Sequence, residues 1–184
     1  MDSEIITEKI NSLGEDSKQL EEILSKVVAE YTSELDRIMG EIDLEILQTA
    51  SPSIKVVEHY FLELSSHLYF MCEKVERLGV YDSLSKSKAQ EVYNQSYLRH
   101  QYDEKLIKKK PTVAELSALS EADALYDKTI NDLYSRAYKT VKNKVASAET
   151  MVSTLSKIFS HRIQEAQLSG TQMSRQILNE GVMF

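Results

Sequence analysis

The chain has 184 residues, 42% of them hydrophobic and 28% charged, with a formal net charge of −7; this suits one domain, or one domain plus an arm, and excludes disorder on compositional grounds. Five glycines, two prolines and no tryptophan leave too few turn residues for an α/β nucleotide-binding fold or an all-β sandwich, so long helices remain. Cys72 as the single cysteine excludes an internal disulfide framework and a cysteine-built zinc site; with no apolar run near the ~20 residues that span a bilayer and no signal pattern at the start, the expected setting is cytoplasmic (host cytoplasm if viral), reducing and without a membrane.

In chain order, Gly14 interrupts the opening segment, and Asp16-Ser17-Lys18-Gln19 has the spacing of a capping box that starts a fresh helix. Ser51-Pro52 follows, with Ser51 as N-cap and Pro52 at the first helical position. Gly79 is placed to end a helix, and Lys110-Pro111 ends another because the residue before proline is pushed out of the helical region. Thr112-Val113-Ala114-Glu115 is a second capping box, and Ser169-Gly170 closes the last long stretch. These signals predict five helices, at about 3–13, 17–48, 52–77, 83–108 and 112–168. The tail from Thr171 to Phe184 is either a short docking helix or a loose end. The expected organisation is an acidic helical arm (1–50), a helical core with a basic centre and a long C-terminal helix (51–168), and a tail (169–184).

Apolar periodicity agrees with helices. Ile6, Ile10, Leu13, Ser17, Leu20, Leu24, Val27 and Tyr31 form a heptad seam with one polar member, and Leu35, Ile38, Ile42 and Ile46 continue it with a four-residue stutter. Ile54, Val57, Phe61, Leu64, Leu68, Met71, Val75 and Leu78 form the cleanest seam; Val56, Tyr60, Tyr69 and Phe70 thicken it, which predicts the most buried helix. The last helix carries Tyr126, Ile130, Leu133, Ala137, Val141, Val145, Ala148, Val152, Leu155, Phe159, Ile163 and Ala166 at a period near 3.6. A helix of some 55 residues is about 80 Å long, more than twice the ~35 Å width of a compact monomer of this size. Either the helix breaks at a point the sequence does not mark, or other copies of the chain cover its stripe; the second, self-association, is the favoured expectation. The predicted fold class is all-α, an elongated helical bundle or coiled-coil arrangement with a long C-terminal helix, in a homo-oligomer.

Charge is unevenly placed. Residues 1–50 hold 13 acids against 4 bases, whereas residues 81–145 hold 9 acids against 12 bases. Within that basic centre lie Tyr93, Tyr97, Arg99, His100, Tyr102, Lys105, Lys108, Lys109 and Lys110. Cations neutralise phosphates and aromatic faces stack on bases, the pairing that sequence-tolerant single-strand binding requires. The plainer reading is a cluster of charges at a helix C-terminus, where the dipole favours cations, with packing tyrosines. A second stripe, Lys128, Arg136, Lys139 and Lys142, falls opposite the apolar seam of the long helix. Lys128 and Arg136 each flank Asp132 at a spacing that allows pairing; Lys139 and Lys142 have no acid three or four residues away. Lys144 faces the apolar side, where its stem is expected to snorkel.

Signs of catalysis are thin. There is no phosphate-binding glycine loop, no G-x-S-x-G and no H-E-x-x-H, and the expectation is that the protein is not an enzyme and needs no cofactor. His59, Glu63 and His67 share a helix face, read as the polar edge of a packed helix rather than a metal site. Glu121, Asp123 and Asp127 read as a solvated acidic turn near a helix N-terminus.

The stretch Lys108-Lys109-Lys110-Pro111-Thr112-Val113-Ala114-Glu115-Leu116, with the later helix end Leu155-Ser156-Lys157-Ile158-Phe159-Ser160-His161-Arg162, resembles the C-terminal half of the phage UvsY-type recombination mediators. In that family a basic stretch precedes a Thr-capped acidic turn, and a long helix follows, ending in a small or polar residue plus Arg. The resemblance spans about residues 105–168. The family often has a tyrosine pair and a glycine before the capped turn; here Tyr97-Leu98-Arg99-His100-Gln101-Tyr102 has separated tyrosines and no glycine. The resemblance implies a small, helical homo-oligomer that binds single-stranded DNA and helps load a RecA-like recombinase onto strands covered by single-strand-binding protein. The expected contacts are Tyr97, Arg99, Tyr102, Lys105, Lys108, Lys109, Lys110, Arg136, Lys139 and Lys142. The alternative is a helical homo-oligomeric scaffold or assembly chaperone without nucleic-acid binding.

Overall fold

The computed structural model describes the backbone of residues 2–103 and 111–180 and the side chains of residues 17–103 and 111–168. Every regular element among the described residues is helical, and four helices pack together. Helix α1 (Asp2–Ile42) runs into a π-helical segment (Asp43–Leu47); α2 (Ile54–Gln101), α3 (Val113–Asp123) and α4 (Leu125–Glu180) follow. No helix among the described residues is long and apolar enough to cross a membrane.

Burial follows a seven-residue repeat. Val28, Leu35 and Ile42 on α1, Val57, Leu64, Met71 and Leu78 on α2, and Val141, Ala148 and Leu155 on α4 are all buried. The alternate seam positions Ile54, Phe61, Leu68 and Val75 are half-buried. The π turn carries Ile46 into the buried row after Ile42, where the stutter in the sequence falls, and Gln48 N–H closes it on Asp43 O at 3.0 Å.

The chain forms two compact units. One comprises residues 1–31 and 73–142, with Val28, Leu78, Ala89, Leu116, Ala124, Ala137 and Val141 in its core and Tyr81 tilted against Tyr134 at 5.9 Å. The other comprises residues 32–72 and 143–184, built on Leu35, Ile38, Ile42, Ile46, Val57, Tyr60, Leu64, Met71, Ala148 and Leu155. Burial, followed by a hydrogen bond to Glu45, pushes the Tyr60 hydroxyl up to about 12.

Several expected boundaries move. Gly14 and the Asp16–Gln19 box lie inside α1, and Gly170 lies inside α4. An interior glycine costs a helix about 1 kcal/mol relative to alanine, too little by itself to end one. Gly79 does not terminate α2 either, since the helix continues to Gln101. A Cβ at Gly79 would stand 3.2 Å from Tyr138 Cε2, so this glycine serves close approach of an aromatic ring to the α2 backbone. The α2 cap is Ser53, whose Oγ accepts Val56 N–H at 3.3 Å, two residues later than Ser51; Pro52 sits before the cap, keeping Ser51 out of the helix.

The second capping box forms as expected. Glu115 N–H donates to Thr112 Oγ1 at 3.2 Å, and Thr112 N–H donates to Glu115 Oε2 at 2.7 Å. The following helix, read as one segment at about 112–168 with its continuity open, has one irregular residue, Ala124 (φ −87°, ψ 0°). Ala124 N–H still reaches Ser120 O at 3.0 Å and Lys128 N–H reaches Ala124 O at 3.0 Å, so α3 and α4 meet at a joint, not a loop.

Three aromatics leave the core they were assigned to. Tyr69 is 77% exposed and Phe70 64%, because at 100° per residue they point about 200° and 100° away from Met71. Tyr126, in the first turn of α4, is 74% exposed beside the exposed Leu125. Leu64→Ala is expected to lower the unfolding free energy by about 2–5 kcal/mol. Thr112→Ala, which removes only a cap, lowers it by about 1 kcal/mol. Urea denaturation followed by circular dichroism measures both, and equal losses would contradict this ranking of core over cap.

Candidate nucleic-acid interface

The last turns of α2 place Tyr93, Tyr97, Arg99, His100 and Tyr102. Tyr93 hydroxyl lies 3.4 Å from Ser117 Oγ, its ring is 6.4 Å from that of Tyr97, and Lys128 Nζ sits 5.4 Å from its centroid. Tyr97 is half-buried and lines a shallow recess with Tyr93, Asn94 and Leu98, whereas Tyr102 is 71% exposed. Lys105, Lys108, Lys109 and Lys110 lie outside the described residues.

Arg136, Lys139 and Lys142 form an exposed row on α4. Steps of three residues turn back by about 60° each, so the row covers a strip about 120° wide. Among the described residues none of the three makes an ion pair, and between Asp132 and Glu149 the sequence has no acid. Lys142 Nζ is 5.8 Å from the centroid of Tyr138. Arg136 lines a groove with Ser17, Leu20, Glu21 and Leu24 of α1 and Thr129, Asp132 and Leu133 of α4. Lys128 does not pair with Asp132; its Nζ lies 3.7 Å from Glu121 Oε1. Lys144 turns to the packed side as expected and finds a partner there: it donates to Asp36 Oδ2 at 2.5 Å and to Thr32 Oγ1 at 3.2 Å.

The acidic turn is not merely solvated. The joint at Ala124 puts Glu121 and Asp123 at the C-terminal end of α3 rather than near a helix N-terminus. Asp127 reaches Lys88 at 3.7 Å. Asp123 Oδ2 accepts from Ser96 Oγ and Arg99 Nη2, with His100 Nε2 at 2.8 Å. The Ser96 hydroxyl first, then His100, with the Arg99 charge adding to both, hold the Asp123 carboxyl below the usual carboxylate range. Arg99 therefore lies in an ion pair, which its place in a basic stretch gave no sign of. The partners of Asp123 are a whole helix away in sequence, so no local pattern marks the cluster. With the Thr112–Glu115 cap, it fixes the chain on both sides of the lysine-rich segment.

In the other unit Arg37 donates to Glu34, Glu41 and Glu63, and these bonds raise its pKa further. Glu63 is also 3.4 Å from His59 Nε2. The carboxylate of the His59, Glu63 and His67 face is thus engaged by a guanidinium and an imidazole, and no group of three or more metal-ligating side chains gathers among the described residues.

Comparison with family models, curated proteins and solved structures finds no match to this chain.

Because the folded-state pKa of Asp123 is lowered, its contribution to stability is complete above the ordinary value of 3.8 and is lost as pH falls through the folded value. Wild type should lose more stability than Asp123→Asn between pH 5 and strongly acidic pH, roughly the range over which such a carboxylate titrates. Thermal melts across that range measure this; parallel losses in the two proteins would remove the linkage.

Proposed function

We propose that this chain is a homo-oligomeric protein that binds single-stranded DNA without sequence preference, a recombination mediator of the kind its sequence resembles. The observation that carries the reading is the α4 row Arg136, Lys139 and Lys142, exposed and without ion pairs among the described residues. Cations not engaged within the protein exchange counterions for phosphates without first giving up an internal partner. Exposed Tyr102 supplies an aromatic face nearby in sequence to Lys105, Lys108, Lys109 and Lys110. One such patch is weak, but identical chains pooled in a coiled-coil assembly present it several times, and simultaneous contacts raise avidity by ~10²–10⁴. A strand held on several copies is positioned for a RecA-like recombinase that displaces single-strand-binding protein.

A scaffold without nucleic-acid binding is favoured by a different observation: Leu84 and Tyr126 in one unit, and Tyr69 and Phe70 in the other, are all at least 60% exposed, apolar side chains open to a protein partner. Fluorescence anisotropy with labelled oligo-dT separates the two. A mediator binds at low salt and weakens steeply as salt rises, and Lys139→Ala with Lys142→Ala reduces the log–log salt slope by about 1.4, or ~0.7 per phosphate contact. A defined oligomer in light scattering with no oligonucleotide binding at any salt would establish the scaffold instead.

A further inference from the structure

Ser96, Arg99 and His100 converge on a single oxygen, Asp123 Oδ2. An ionised carboxylate only accepts hydrogen bonds, so the His100 Nε2 facing it carries a proton and all three groups act as donors. The donors come from little more than one turn at the end of α2, where Ser96 is buried, the His100 side chain is 17% exposed and that of Arg99 is 68% exposed. They do not close on a sealed interior. Ser96, Arg99 and Asp123 line an open recess together with Val92 and Gln95. A hydroxyl, a guanidinium and an imidazole aimed at one anionic oxygen beside an open recess are the donor set that a phosphate oxygen takes.

We infer that Ser96, Arg99 and His100 form a phosphate-binding site in which the Asp123 carboxylate stands as an internal anion, and that a phosphodiester of a bound strand takes its place. This deepens, and rests on, the single-stranded DNA reading, since it assigns one phosphate contact and its restraint. The carboxylate keeps the donors pre-oriented and neutralises Arg99, so the site adds nothing to strand binding until an external anion displaces it. Glu121 acts alike on Lys128, so the last turn of α3 covers cations of both α2 and α4. No bond is made or broken; the exchange is one anion for another.

The test uses the full-length protein and Asp123→Asn, whose amide oxygen still accepts from Ser96 and Arg99 while the negative charge is gone. Asp123→Asn is expected to bind oligo-dT several-fold more tightly than wild type, with a log–log salt slope steeper by about 0.7, one added phosphate contact. Arg99→Ala added to Asp123→Asn abolishes both gains. If wild type binds oligo-dT and Asp123→Asn changes neither affinity nor slope, the cluster is a structural clasp, and the inference falls while DNA binding stands. A second probe, tripolyphosphate, reads the site without DNA. Its addition should shift the Arg99 Nε–H and His100 ring resonances of Asp123→Asn, and those of wild type only at several-fold higher concentration. Shifts without any oligo-dT binding by wild type would keep the anion site and overturn the DNA reading. No shift in Asp123→Asn, with its circular dichroism unchanged, would overturn the site itself.

Discussion

Burial of one apolar side chain every second helical turn is the constraint on which the rest of this molecule depends. α1, α2 and α4 each exceed forty residues, and in a folded protein most helical stability comes from packing an amphipathic face. Here the deepest positions, Leu35, Leu64, Met71, Leu78, Val141 and Leu155, are aliphatic or methionine, and each such side chain contributes about 1.5–3 kcal/mol when taken out of water. Small residues share the row: Ala137 and Ala148 are fully buried, and Gly79 lets a tyrosine ring lie on the helix backbone. Narrow seams of this kind bring helices close with few aromatics inside, Tyr60 being the buried one among the described residues. That accounts for a composition with no tryptophan and for tyrosines that partly stay outside.

Polar contacts add direction rather than bulk stability. Thr32 is fully buried, donates to Asp36 Oδ2 at 3.0 Å and accepts from Lys144, so one hydroxyl ties an α1 carboxylate to an α4 ammonium. Arg37 draws Glu34 and Glu41 of its own helix and Glu63 of α2 to one guanidinium. Both clusters are partly solvated, where ion pairs stabilise little but still penalise a shifted register, since a slipped helix would leave its charges facing apolar neighbours.

How far the sequence could be read follows from the range of the interactions involved. The helical class, the Thr112 cap, the stutter before Ile46 and the inward turn of Lys144 depend on residues within a turn or two of one another, and periodicity reports them. Gly79 misleads because its neighbour Tyr138 belongs to another helix; a glycine that ends a helix and one that admits a ring look identical in sequence. The joint at Ala124 carries no glycine or proline and hence no signal. Tyr69 and Phe70 lie next to the seam in sequence but do not share its phase, so proximity alone points them inside while the helix turns them out. The Asp123 cluster needed the return of α3 against the end of α2, which no local spacing encodes.

Which cations can act outward is then a matter of subtraction. The basic centre reads as a cluster at the end of α2 and a stripe on the long helix, and the fold divides both. Arg99, His100, Lys128, Lys88 and Lys144 are each held by a carboxylate, whereas Arg136, Lys139 and Lys142 meet none among the described residues. On α4 the chain presents positive charge where its own acids are spaced away, in the stretch from Asp132 to Glu149. The acids at the end of α3 hold Arg99, His100 and Lys128 outside this interval. Internal pairing, rather than net charge, sets how much of the basic surface an external polyanion meets, because screened charges a Debye length of ~10 Å away weigh far less than a carboxylate in contact.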